Sequence, residues 1–102
     1  MKRFTLLLTL AAVALAGCSA GKPSSKDAER ATMELFRSSG FGFSYVDDFT
    51  VAGCVEARVG DGVNCDVSGT FVMEEMGRRF PVAMNRNLRF SKAGGDWRAF
   101  IQ

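Results

Sequence analysis

The 102-residue sequence contains no histidine. That removes the commonest general base and the commonest metal ligand, and it makes Ser-His-Asp and Cys-His catalysis impossible. Tryptophan and tyrosine occur once each beside nine phenylalanines, and there are only two prolines and three cysteines. Basic excess is slight, with thirteen Lys and Arg against eleven Asp and Glu. Nucleic-acid binding requires a strongly basic surface, so a nucleic-acid partner is not expected. The longest apolar stretch, Phe4 to Leu15, is about a dozen residues, whereas a membrane-spanning helix needs about 20.

That stretch sits in a three-part segment. Lys2 and Arg3 supply positive charge, the apolar run follows, and Ala16 and Gly17 are small, which is the layout of a secretory signal peptide. Leu15-Ala16-Gly17-Cys18 resembles the lipobox of bacterial lipoproteins. The resemblance implies cleavage before Cys18, a diacylglycerol on its sulfur and acylation of the new amino group. Ser19 after the cysteine, by the same resemblance, implies transfer to the outer membrane with the domain facing the periplasm. Two or three chains on one residue hold a small domain firmly where a single chain does not. The expected organisation is therefore a signal peptide over 1–17, a lipidated cysteine and flexible tether over 18–25, and one domain over 26–102.

Cleavage would remove Lys2 and Arg3 and leave eleven bases and eleven acids. These are segregated. Asp47 to Glu75 holds seven acids and one base, Arg58; Arg78 to Arg98 holds six bases and one acid, Asp96. Either acidic strands lie beside basic ones and pair across a sheet, or the surface is bipolar; cross-strand pairing is the simpler expectation. Cys54 and Cys65 are the cysteines left over. In an oxidising compartment a leftover pair in a small domain reads as a disulfide. The alternative, a redox or metal site, lacks both C-x-x-C spacing and a third ligand in view.

Ser24 to Asp27 forms a helix-start signal, and Ala28, Ala31, Thr32, Leu35 and Phe36 recur on one helical face until Gly40 stops the pattern. Beyond Phe41-Gly42-Phe43 the period becomes two. Phe49, Val51, Val55, Ala57 and Val59 alternate with polar residues, and Gly60-Asp61-Gly62 is a turn signal. Val63, Cys65, Val67, Phe71 and Met73 share the parity of a second strand. Phe80, Val82, Met84, Leu88 and Phe90 mark a third, interrupted by Arg86, with Pro81 pointing to an edge or bulge. Trp97 to Ile101 forms a short fourth strand. A hairpin centred on Asp61 would set Cys54 nearer Ser68 than Cys65, so the disulfide requires a bulge, at Gly53 or Gly60.

One amphipathic helix packed on a curved antiparallel sheet of about four strands gives an α+β fold. Cys54, the Asn64–Gly69 stretch NCDVSG and the Arg89–Arg98 stretch RFSKAGGDWR are similar to those of small bacterial domains with cystatin-like or nuclear-transport-factor-like folds. That resemblance implies a sheet wrapping a helix and brings no catalytic residues or cofactor.

Candidate sites are sparse. Asp47-Asp48 and Glu74-Glu75 are sequence neighbours on strands, so each pair points to opposite faces and makes no acid–base couple. Asp61 and Asp66 are too few for a calcium site, and no metal is expected. Trp97, Arg89 and Arg98 are candidate partner-binding residues, because aromatic and arginine side chains dominate interfaces; Trp97 equally fits a core anchor beside the helix. Phe41 and Phe43 either plug the open end of the sheet or meet a partner. The expectation is a non-enzymatic, membrane-anchored binding or accessory subunit of an envelope assembly. The alternative is an inhibitor or immunity-type protein directed against an envelope-targeting enzyme.

Overall fold

Ser24 stands just outside a helix in extended backbone, and its Oγ accepts the N–H of Asp27 at 3.1 Å. This satisfies one of the donors that a helix leaves open at its start. In the computed structural model, which describes residues 21–102, helix α1 then runs Ser25–Ser38. The expected signal peptide and Cys18 lie outside the described residues. Past the last turn, Gly40 N–H reaches Arg37 O at 3.1 Å and Phe41 N–H reaches Phe36 O at 2.9 Å. This is a Schellman closure, and the edge-on contact of the Phe41 and Phe36 rings supplies its hydrophobic clasp.

Four strands follow: β1 Phe43–Glu56, β2 Val63–Glu75, β3 Arg78–Ala93 and β4 Asp96–Ile101. They form one antiparallel sheet in the order β1-β2-β3-β4. Helix α1 contacts β1 and β4, the two outer strands, so the open sheet curves around it in an α+β arrangement. Directly paired residues share a face. Cys65 opposite Leu88, and Phe90 opposite Ala99, thus join Trp97, Ala28 and Ala31 in one buried cluster. A second cluster gathers Met33, Phe36, Phe43 and Phe71, with Phe36 5.2 Å from Phe71 and 5.8 Å from Phe43 between ring centroids.

The first strand departs from its expected pattern. It begins at Phe43 rather than Phe49 and ends at Glu56, and Val55 and Val59, read as inward-facing, are exposed. The cause is three one-residue register shifts in β1, between Phe43 and Tyr45, Asp47 and Thr50, and Ala52 and Val55. Each bulge moves the following side chains to the other face of the sheet. The inward set becomes Phe43, Val46, Phe49, Val51 and Cys54. The last bulge places Gly53-Cys54 opposite Cys65, and the two cysteines form a disulfide across a Cα–Cα distance of 4.1 Å.

The loop from Ala57 to Gly62 closes with Ala57 N–H on Gly62 O at 3.0 Å. Gly62 has φ +94°, and a Cβ there would stand 1.9 Å from the carbonyl oxygen of Phe90. Only glycine lets the loop cross β3 this closely.

Lengths decide what the helix can cover. The 14 residues of α1 span about 21 Å at 1.5 Å each, while the 13 residues of β2 span about 43 Å at 3.3 Å each. The helix packs over the inner face from Cys65 to Phe71, and the sheet extends past it towards the β2–β3 turn.

Candidate functional site

The uncovered part is the end that carries the β2–β3 turn. α1 leaves through residues 39–42 into Phe43, which pairs with Met73, three residues before Met76. The turn end thus adjoins the helix C-terminus, while Ser24 stands at the opposite end of α1. Around the turn, inward-facing apolar side chains meet solvent. Phe80 is 42% exposed, Val82 36% and Phe41 48%, and Met76 at the tip is almost wholly exposed. Met73 and Met84 are half buried and join this surface to the Phe36–Phe43–Phe71 cluster.

The edge beside that surface is open as well. Met76 (φ 52°) and Gly77 (φ 74°) form a two-residue turn between the paired residues Glu75 and Arg78. In such a hairpin the flanking pair is hydrogen-bonded, and bonded pairs then alternate along the ladder. Even-numbered residues of β3 therefore bond to β2. Odd-numbered residues direct their N–H and C=O groups to the other side. The Gly94-Gly95 turn independently gives the same phase, making Ala93–Asp96, Ser91–Arg98 and Arg89–Phe100 the bonded pairs with β4.

β3 has 16 residues but β4 only 6, and their pairing stops at Leu88–Ile101. Gln102 lies opposite Asn87, its Nε2 donating to Asn87 Oδ1 at 3.2 Å. From Arg78 to Arg86 no described residue pairs with the far side of β3. Arg79, Ala83 and Asn85 offer N–H and C=O groups there, and Pro81 offers C=O alone. Pro81, expected at an edge, sits where its missing N–H breaks no bond to β2.

Charge on this edge has one sign. Arg78, Arg79 and Arg86 lie on it, and no acid occurs on β3. Glu75 and Glu74 of β2 stand opposite Arg78 and Arg79 in the ladder, so the expected juxtaposition of acidic and basic strands is present there, but the expected ion pairs across the sheet do not form among the described residues. Arg79 instead donates to the Tyr45 hydroxyl and lies over its ring at 5.7 Å from the centroid. Arg86, on the inner face, is opposite Val67. The ion pairs among the described residues are both within α1, from Arg30 to Asp27 and Glu34 at 3.6 Å.

The candidate residues divide between two places. Phe41 and Phe43 come together, stacked at 5.7 Å with 11° between ring planes, at the uncovered end. Trp97, Arg98 and Arg89 belong to β4 and its neighbour. Trp97 is only 6% exposed and anchors the helix-facing core. Arg89 donates to Asp61 O at 2.8 Å and stacks on Phe100 at 4.3 Å, which ties the 57–62 loop to β3. Arg98 lines an open groove of about 540 Å³ between α1 and β4, together with Arg30, Glu34, Ser38 and Asp96. Two bases and two acids in its walls give that groove mixed charge.

Phe80, Val82 and Arg86 were not singled out from sequence. The signal that could have found them is the interruption of the third strand's apolar pattern by Pro81 and Arg86.

Comparison of the chain with protein-family models, curated proteins and solved structures returns no match.

Proposed function

We propose that this chain is a bacterial lipoprotein anchored in the outer membrane through Cys18, whose domain faces the periplasm and binds a protein partner as an accessory subunit of an envelope assembly. The observation that carries the binding role is the uncovered end of the sheet, where an apolar surface adjoins an open, basic strand edge. Soluble domains seldom leave such a combination uncovered without a partner, because open edges and apolar patches invite association. Its location supports the anchored arrangement. The tether enters at the opposite end of α1, so the surface is presented away from the attachment point. Lipobox, tether and domain thus form a continuous design for holding a binding surface off a membrane.

Crosslinking in intact cells, with the chain tagged after Gln102 and read by mass spectrometry, tests this function. The control is a soluble form made by replacing the lipoprotein signal. The anchored chain should recover a stoichiometric envelope protein that the soluble form does not. Recovery of no partner by the anchored form overturns the proposal, and recovery of a hydrolase would make the chain an inhibitor instead.

A further inference from the structure

The open stretch of β3 has features that specify what could occupy it. We infer that the Arg79–Asn85 edge binds an extended segment of a partner protein by strand addition, and that this segment is apolar at alternate positions and carries a carboxylate beside Arg86. The inference rests on the anchored-binder reading and names its surface and the chemistry of its partner.

Three observations converge. First, the edge has the dimensions of a strand: the run from Arg78 to Arg86, unpaired among the described residues, is about 30 Å long at 3.3 Å per residue. Backbone groups of Arg79, Ala83 and Asn85 point outward along it, and an added strand would satisfy them as β4 satisfies Arg89, Ser91 and Ala93. Pro81 omits one donor and leaves its carbonyl available.

Second, the inner face beside this edge is apolar and unfinished. Phe80 and Val82 are exposed, and Met84 is half buried. In the covered part of the sheet the equivalent β3 residues, Leu88 and Phe90, are buried beside Ile101 and Ala99 of β4. Every second side chain of an incoming strand would lie over Phe80, Val82 and Met84 as Ala99 lies beside Phe90.

Third, charge selects the occupant. Arg86 faces inward between Met84 and Leu88, and its partner across β2 is Val67, which leaves its charge without a counterpart in the sheet. A carboxylate on the added strand would supply one. A second copy of this edge would instead bring together Arg78 and Arg86 of each chain, four arginines with no acid on either edge strand, which disfavours self-pairing. The mixed-charge groove between α1 and β4 offers no comparable selection.

The test places a photo-crosslinking amino acid at Asn85, and separately at Ser38 and Arg98 in the groove, in the full chain in intact cells. Two variants are combined with the Asn85 probe. Ala83→Pro removes an edge donor while leaving the β2 ladder intact, as Pro81 already does, and Arg86→Glu reverses the selecting charge. The expected result is one protein adduct at Asn85, mapped by mass spectrometry to an alternating apolar and acidic segment, and reduced about tenfold by either variant. Retention of the Cys54–Cys65 disulfide and an unchanged circular dichroism spectrum verify the fold of each variant. Adducts only at Ser38 or Arg98 overturn strand addition at β3 but leave the anchored-binder reading standing. Adducts at none of the three positions overturn both. Lipid adducts alone at Asn85, or a protein adduct that survives Ala83→Pro, also overturn the inference.

Discussion

Reduction of the Cys54–Cys65 disulfide should cost the domain a large part of its stability, although little in the folded core would change. Cys65 is wholly buried beside Leu88 and Val67, and a reduced thiol there still packs as a small apolar group. The loss falls on the unfolded state. The bond closes a loop with a sequence separation of 11, and releasing it restores about 3 kcal/mol of chain entropy to the unfolded ensemble. A domain of this size has a total stability of about 4–12 kcal/mol. The melting temperature should therefore fall by about 10–20 °C. Thermal unfolding followed by circular dichroism, with and without reductant, measures this directly. Cys65→Ser should be worse than reduction by about 1–3 kcal/mol, because it buries an unpartnered hydroxyl where a thiol sat. A reduced protein that melts within about 4 °C of the oxidised one would refute the reasoning, since the loop term alone exceeds that.

Three further outcomes follow from single residues. Thr32 is fully buried in α1 and its Oγ1 has no hydrogen-bond partner, so Thr32→Val should raise stability by about 1 kcal/mol in urea unfolding, and a loss would show that the hydroxyl is satisfied. Gly62→Ala drives a Cβ into the Phe90 carbonyl and strains a left-handed backbone; it should destabilise by about 2 kcal/mol or more, seen as a lower urea midpoint. Met76 holds a left-handed conformation at the first position of its turn while exposing its side chain. Met76→Asn should stabilise by about 0.5–1 kcal/mol in the same assay, and an unchanged midpoint would argue against the turn geometry.

The parts of the fold that were legible are those whose period keeps one phase. The apolar positions of α1 and the parities of β2 and β3 hold one phase from Ala28 to Phe36, Val63 to Met73 and Phe80 to Phe90, broken only by Gly69 and Arg86, and the structure buries or half-buries most of them. β1 was not legible, because each of its bulges inserts a residue and inverts the parity that follows. Val55 and Val59 continue an apparent alternation that the backbone had already abandoned at Gly53-Cys54. A bulge at Gly53 could be anticipated from the disulfide. Nothing local marked Asp48 as left-handed, since its φ of 55° answers to the pairing around it.

The site was legible only in fragments. Phe41 and Phe43 stood out through their flanking glycines, and they do meet at the uncovered end of the sheet. Trp97 stood out by its chemistry, but burial against α1 makes it a core anchor. Phe80 and Val82 resembled core residues because their parity is correct. Their exposure comes from the shortness of α1, a property of the assembled layers rather than of their own segment.

The most direct test of the account is the intact mass of the protein extracted from cell membranes. The account predicts a mature chain that begins at Cys18 and carries diacylglycerol and an amino-terminal acyl chain, and a Cys18→Ala form that is neither processed at that position nor held in the membrane fraction. A wild-type chain found unmodified at Cys18, or a Cys18→Ala chain processed and retained as before, would contradict it.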